Sequence, residues 1–568
     1  MPIRPTVRKP GYGQLSSKRN SRTLRSVLTV ENGLIVLFFV LGLAGILNHE
    51  IWRDEAQAWL ISRDSSSLAD LFSNTTYEGH PILWHICLFV IAKWSPNPFF
   101  MQIFHLLLST ASVVLVVKWS PFSLLQKGLL SFSYLLFYEY SIISRNYAIG
   151  IFFIFLFCVL YTRQQPRYWL LALILAVVAN ANAFCFLISF SLASVMLFRL
   201  WCESSVSLAT AFRRQMIQPL AILITGWGLT LLQLTRFTRL PEREVVTDSA
   251  QRAAKRAAEG ADSIPEPVSD FALSQFDQAI ALVNRLAGVS EPFTRSYLPM
   301  MRPKLHFWTT HFLLDSEGIG TIFGIKIGTM IAAILAIVLF LLAVKALRRT
   351  PLYLWLYVSG SAALYSLFIA IYRGSNRHQG HLIIVLIVSL WLATWSQNRP
   401  EQIRRLRSSF TGFKRPVVGG ALLTLLLVFQ SVASVQAYAM DIIYPFSGSH
   451  AIAQYIQTNQ LEDLPLFAQN GRISTGVISY LDTVAYYAQQ NKYASFAVNP
   501  YRRDEETNEI VLANVESFAQ QEPEFLIISR NPIDFSSAPR QVDLLTAVEE
   551  TIIANERLYL YKAEAPSP

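Results

Sequence analysis

Charge is what this chain of 568 residues has least of. Only 15% of its residues are Asp, Glu, Lys or Arg, where a soluble protein carries about a quarter. Set beside 52% hydrophobic residues, that shortage argues against an ordinary soluble protein. Cysteine is scarce too. The four present, Cys87, Cys158, Cys185 and Cys202, fall in apolar stretches without metal-type spacing, so they read as small apolar fillers rather than a disulfide framework. Acidic residues are absent from residues 1–30 and sparse through the hydrophobic part of the chain. A cleavable signal peptide is missing as well: the basic arm runs into a full-length apolar span with no small-residue cleavage site, which reads as a signal anchor.

What is present is a series of long apolar runs. Leu34–Leu47, Phe99–Val117, Ile322–Val344 and Val417–Val435 approach the ~20 residues that a spanning helix needs. The net charge of +10 comes from basic residues between these runs, where they set orientation; it does not point to nucleic acid. Arg4, Arg8, Lys9, Lys18, Arg19, Arg22 and Arg25 make 1–30 a cytoplasmic arm. Placing the later basic clusters on that same side requires that Pro81–Trp94 not cross the membrane. The expected spans are then 31–48, 99–118, 123–140, 146–163, 168–182, 184–202, 216–235, 321–346, 352–372, 379–396 and 417–437. The expected fold class is an all-α polytopic transmembrane bundle of about eleven spans with juxtamembrane helices and a small C-terminal soluble α/β domain.

Three regions follow: the arm 1–30, a transmembrane domain 31–437 with non-cytoplasmic loops 49–98 and 236–318, and a periplasmic or lumenal domain 438–568. Trp52, Ala56, Trp59 and Leu60 recur at helical spacing and predict an interfacial helix with its tryptophans at headgroup depth. In the long loop, Gln251–Ala261, Phe271–Leu286 and Lys304–Leu314 read as helices. In the last domain, Ala451–Gln457, Gly476–Gln490 and Glu509–Gln520 read as helices, and Pro465–Ala468, Glu524–Ser529 and Leu558–Tyr561 as strands. That domain has neither a Gly-rich phosphate loop nor a nucleophile elbow.

Under this topology polar residues converge on the non-cytoplasmic side. Asp54-Glu55 follow the first span, and Glu78-Gly79-His80-Pro81 close the same loop. Tyr138-Glu139-Tyr140 leads into Ser144-Arg145-Asn146-Tyr147, and Tyr372–His381 carries Arg373, Arg377 and His378. Carboxylates at a membrane surface are costly to desolvate and usually have a partner or a task. Arg145, Arg373 and Arg377 suit a phosphate leaving group, and Asp54 suits a general base. Glu55 or Glu139, with His80, has the oxygen and imidazole chemistry for a divalent cation such as Mg or Mn. Simpler roles compete: Arg377-His378 as an interfacial charge cluster, Arg145 paired with Glu139, His80-Pro81 as a helix start, and His49 and Glu50 as interfacial residues.

The acidic pair, His80-Pro81, Ser144-Arg145-Asn146-Tyr147-Ala148 and the polytopic body with its tail together resemble the GT-C class of integral-membrane glycosyltransferases. The nearest patterns are the protein O-mannosyltransferases and the aminoarabinose transferases acting on lipid A. The resemblance covers 31–440 in architecture and rests mainly on 50–150 for motifs. It departs at Ile82, where family members often carry a second proline. It implies that Asp54 is the catalytic aspartate, with Glu55 beside it, and that His80, Arg145, Tyr147, Arg373, Arg377 and His378 contact substrate. The implied reaction is inverting transfer from a polyprenyl-phosphate sugar to a hydroxyl on a protein, lipid or glycan. The implied location is a bacterial inner membrane. A transporter or flippase of a lipid-linked or anionic substrate is the main alternative, but it should show internal repeats and midplane charges, and neither is evident. A structural membrane protein whose tail binds a partner is a third.

Overall fold

The computed structural model describes residues 29–203, 215–237, 270–315, 319–322, 324–398, 417–469, 471–497 and 507–564. The basic arm, the Gln251–Ala261 helix and the basic clusters at 213–214 and 399–415 lie outside these residues. Among the described residues, eight helices are long and apolar enough to cross a membrane, the first being Val30–Asn48 and the last Gly419–Ile443. Tyr147–Tyr161 and Tyr168–Ala179 are apolar but shorter. The chain is a polytopic helical bundle capped by a small sheet domain, as its hydropathy predicts. Leu83–Ala92 has ten residues, about 15 Å of helix against an apolar layer of about 30 Å.

Two predicted helices form differently. The 123–140 segment breaks after Leu124–Ser131 and resumes as a π-helical turn, Tyr134–Ile142, entered through Ser133, whose hydroxyl accepts from Leu136 N–H. The wider turn puts all nine of its residues in the core, so Glu139 is enclosed rather than at an open end. Lys304–Leu314 is not helical. It runs as linked turns held by His311 Nε2 against Leu298 O at 2.7 Å and by Phe312 N–H on Met300 O at 2.7 Å.

The C-terminal domain is one six-stranded mixed sheet. Its strand order is Lys492–Ala494, Ala485–Tyr487, Leu466–Ala468, Phe525–Ser529, Leu558–Ala563, Val542–Val548. The three central strands, Ala485–Tyr487, Leu466–Ala468 and Phe525–Ser529, run parallel, and the outer pairings are antiparallel. Ala485–Tyr487 belongs to what reads in sequence as the back half of the Gly476–Gln490 helix, and that helix ends at Leu481 with Asp482 in the left-handed region. Strands at 492–494 and 542–548 carry no strong alternation and went unpredicted. Helices Ser449–Thr458 and Thr475–Leu481 bury Ile452, Ile456, Val477 and Ile478 on one sheet face, and Asn508–Ala519 buries Val511, Val515 and Phe518 on the other.

The Arg53–Asp64 helix joins the two parts. Asp54 and Glu55 sit in its first turn, where carboxylates oppose the positive end of the helix dipole, and Arg63 sits in its last. Ala58 and Trp59 pack into the membrane-body core, while Leu60 packs into the sheet domain's core. Trp52 and Trp59 are both buried in protein rather than exposed on the surface; Trp59 Nε1 donates to Pro96 O at 3.0 Å.

Two carboxylates, Glu556 buried and Glu50 half-buried, lie at this junction. Glu50 Oε2 accepts Phe446 N–H at 2.5 Å. Glu556 faces Arg53 Nε at 3.3 Å and accepts Ser447 Oγ at 2.9 Å. Burial pushes Glu50 and Glu556 up to about 7 from an ordinary 4.5, against the Phe446 bond and the Arg53 charge respectively. A raised folded-state pKa means the unfolded chain binds fewer protons between pH 4.5 and 7, so these groups subtract stability as pH rises through that window. Glu556→Gln mimics the protonated form. Its melting temperature should fall less than that of the wild type between pH 5 and pH 8, as followed by thermal unfolding in detergent.

Candidate active site

The residues singled out in the sequence mostly meet at one end of the bundle, beneath the sheet domain. Asp54 stands at their centre. Its Oδ2 lies 3.5 Å from Arg377 Nη2 and 3.9 Å from Arg145 Nη1, and Arg145 Nη1 also donates to the Asp54 carbonyl at 2.5 Å. Burial alone would raise the Asp54 pKa; Arg145, Arg377, Arg53 and Arg472, in decreasing order, overcome it and hold the carboxyl at about 2. In the free protein Asp54 is therefore an ionised carboxylate clamped between cations.

Each arginine reaches it for a local reason. Arg145 follows the π-helical turn, where its N–H donates to His105 Nε2 at 3.3 Å and His105 Nδ1 pairs with Ser141 O at 3.0 Å. Arg377 sits in the short turn Asn376–Gln379. Gly374, at φ +71°, lets the chain reverse just before it; a Cβ there would lie 2.9 Å from His378 Cβ. Gly380 closes the turn against Leu135 and the Tyr140 hydroxyl, where a Cβ would have no room. The Arg377 guanidinium packs against a pair of touching indoles, 5.1 Å from the Trp52 ring centroid and 4.9 Å from that of Trp308, the two rings meeting edge to face at 5.2 Å. Cation–π contacts of this kind stabilise a desolvated guanidinium without using its N–H groups.

Those N–H groups are the site's unspent capacity. Arg377 Nε and Nη1, Arg145 Nε, Trp52 Nε1 and the Tyr147 hydroxyl are all shielded from solvent with no hydrogen-bond partner among the described residues; His381 Nε2 is unpartnered too, but it is an acceptor, because Nδ1 donates to His378 O at 2.9 Å. Buried donors left unpaired are costly, and a concentration of them marks a place for an acceptor-rich guest. His80 is half-buried beside them with Nδ1 likewise unpartnered. Burial first, then Arg145, drives its imidazole down to about 3, so it is neutral at pH 7.

Other expected residues are committed elsewhere. Arg373 is largely exposed and paired with Glu291. Glu55 has no free face: Oε1 accepts Ser144 N–H at 2.5 Å, and Oε2 meets His49 Nε2 at 3.3 Å and Trp52 N–H at 3.4 Å. It caps its own helix and anchors the Arg145 loop. Glu139 Oε1 accepts from the Tyr134 hydroxyl and from Trp308 Nε1, so it orients one of the indoles that Arg377 packs on. With both glutamates so placed, no group of three or more His, Cys, Asp or Glu side chains suited to one metal ion forms among the described residues. His378 accepts Ser375 N–H on Nδ1 at 2.8 Å and packs on Tyr147, Phe184 and Tyr372, shaping the turn from behind.

Several partners were not read from sequence. His49 is not interfacial: its Nδ1 bonds Asp441 Oδ2 at 2.8 Å, tying the first span to the last. Trp308 was visible only as one aromatic in a long loop. Arg472, from the sheet domain, pairs with Glu78 at 2.9 Å. The single local signal available was Gln57, an amide inside an otherwise apolar turn of the helix.

No protein-family model matches the chain, and no curated protein matches it. Six chains among solved structures do. ArnT from Cupriavidus metallidurans in the apo state is 11% identical, with a TM-score of 0.43, covering 94% of this chain and 98% of its own. The same protein bound to undecaprenyl phosphate is 12% identical, with a TM-score of 0.36, covering 93% and 98%. This is a likeness in the overall course of the chain, and the chemistry of the site is read from its own side chains.

Removing the Asp54 charge strands two shielded guanidinium groups. Asp54→Asn should lower stability by about 3 kcal/mol at pH 7, as for a buried pair that loses one partner. Because the Asp54 pKa is depressed from 3.8, its contribution is complete above that value and is lost as pH falls through about 2. Denaturation of the two proteins side by side should show the gap closing over that acidic range.

Proposed function

We propose that this protein is a membrane glycosyltransferase that takes a sugar from a polyprenyl-phosphate donor and passes it to a hydroxyl acceptor at the non-cytoplasmic face. The observation that carries this reading is the Asp54 carboxylate held by Arg145 and Arg377 while both arginines keep shielded N–H groups unpaired. A carboxylate, two forked cations and a set of unspent donors at one end of a hydrophobic bundle suit a lipid-borne phosphate and an incoming hydroxyl.

The chemistry follows from these parts. The donor phosphate enters between Arg145 and Arg377 and takes up their free N–H groups. The acceptor oxygen attacks the anomeric carbon from the opposite side. The bond from that carbon to the phosphate oxygen breaks, its electron pair leaves with the phosphate, and the configuration inverts. The acceptor proton passes to Asp54. A carboxyl held at about 2 is a weak base, and the donor corrects this. As the arginines turn to the phosphate, Asp54 loses its cationic neighbours and its pKa rises towards the working range. His80, neutral and beside the pocket, is placed to hydrogen-bond sugar or acceptor hydroxyls. Tyr147 offers its unpaired hydroxyl for the same purpose.

A transfer assay with purified protein and labelled polyprenyl-phosphate sugars tests the reading. Asp54→Asn should reduce turnover by at least about 100-fold, while binding of undecaprenyl phosphate is kept or tightened because the arginines are released. Arg377→Ala should weaken that binding by about tenfold or more. In the wild type, kcat should decline at a higher pH than kcat/KM on the acid side, since kcat reports the donor-bound state. Lipid phosphate moved between leaflets without sugar transfer would instead identify a flippase.

A further inference from the structure

The helix that carries Asp54 is gripped from two directions. On the membrane-body side Trp59 enters the main core and Glu55 takes Ser144 N–H. On the opposite side the grip comes from the sheet domain, and its centre is Gln57. This side chain is fully buried, and its amide makes a two-way pairing with one residue: Nε2 donates to Ala497 O at 2.6 Å, and Oε1 accepts Ala497 N–H at 3.2 Å. The same Nε2 lies 3.3 Å from Glu78 Oε1, which also receives Arg472 Nη2 at 2.9 Å. Thr475 Oγ1 adds a bond to the Arg53 carbonyl at 3.2 Å, and Ile51 N–H donates to the Tyr480 hydroxyl at 2.8 Å.

Gln57 stands one turn after Asp54, at the i+3 spacing that puts two side chains on neighbouring parts of one helix face. An apolar residue would fill the same space. The amide adds direction, because a double hydrogen bond to a single residue fixes both the height of the helix and its rotation about its own axis. Asp54 needs that control: its oxygen must hold a position between two arginines from other elements, to within a fraction of an ångström.

We propose that Gln57 is a positioning residue for Asp54 and that the C-terminal domain, through Ala497, forms part of the frame of the active site. It is thereby more than a separate binding module. This inference rests on the glycosyltransferase reading for its catalytic consequence, while its structural content is independent of that reading.

The test uses the full-length chain. Gln57→Met keeps length and packing and removes the amide; Gln57→Asn keeps the amide on a shorter stem. For Gln57→Met, kcat should fall by about 100-fold, the scale of a displacement near 1 Å. Donor KM and undecaprenyl phosphate binding should stay within about threefold of wild type, since Arg145 and Arg377 are untouched. Gln57→Asn should fall between the two. Amide hydrogen exchange across residues 55–62 should quicken in Gln57→Met. An unchanged kcat, or a loss of donor binding in step with kcat, would overturn the proposal. If the wild type transfers no sugar, the functional reading fails and exchange alone decides: unaltered protection across 55–62 in both variants would rule out positioning. Should Gln57→Met not fold, Gln57→Asn is judged by the same measures.

Discussion

A carboxylate shared between two arginines from distant parts of the chain is the constraint on which this structure depends. Asp54 comes after the first span, Arg145 between two middle helices and Arg377 before a late one, yet both arginines reach within 4 Å of the Asp54 carboxylate. Charges so enclosed are tolerated only when they are paired. The surrounding architecture can be read as the means of keeping them paired: the π-helical turn that delivers Arg145, the Gly374 reversal that delivers Arg377, and the two touching indoles on which its guanidinium packs. Any change in the relative height of the three elements is therefore felt as unpaired charge.

Around that centre, residues with apparent chemical promise turn out to be scaffolding. Glu55 and Glu139 each spend an oxygen on orientation, one on the Arg145 loop and the other on Trp308. His49 and Asp441 lock the first and last spans together. Arg373 pairs with Glu291 at the surface. The groups left for chemistry include Asp54, the free N–H groups of Arg145 and Arg377, the Trp52 indole N–H, Glu139 Oε2, and the unpaired groups of Tyr147, His80 and His381. Binding a phosphate there would exchange one anionic partner of the arginines for another, which couples arrival of the donor to the basicity of Asp54.

The sheet domain adds a second layer. Its parallel strands and flanking helices make two small cores, and one of them is completed by Leu60 from the Asp54 helix. The domain does not pack on itself alone. Glu556 and Gln57 are buried and Glu50 half-buried where it meets the membrane body, and each has a specific partner there. Polar groups buried at such a seam tolerate one arrangement, whereas apolar packing alone tolerates several.

Much of this was present in the residues themselves. Long apolar runs can only be satisfied as packed helices in a membrane, because backbone groups in lipid must bond within their own segment; composition alone therefore determined the bundle. The scarcity of acid drew attention to Asp54, and the clustering of arginine with polar residues at segment ends pointed to Arg145 and Arg377. What composition could not supply was direction. A π-helical turn differs from an α-helix by the registry of its hydrogen bonds, which residue type scarcely encodes, so the enclosure of Glu139 was not legible. Which of two neighbouring acids, Asp54 or Glu55, faces the arginines depends on how the helix is rotated, and that rotation is set by contacts with Ser144, Ala497 and Leu60's neighbours far along the chain. Sequence determined which charges the protein has to bury. Only the tertiary structure decided which of them would be consumed in holding it together and which would stay free to act.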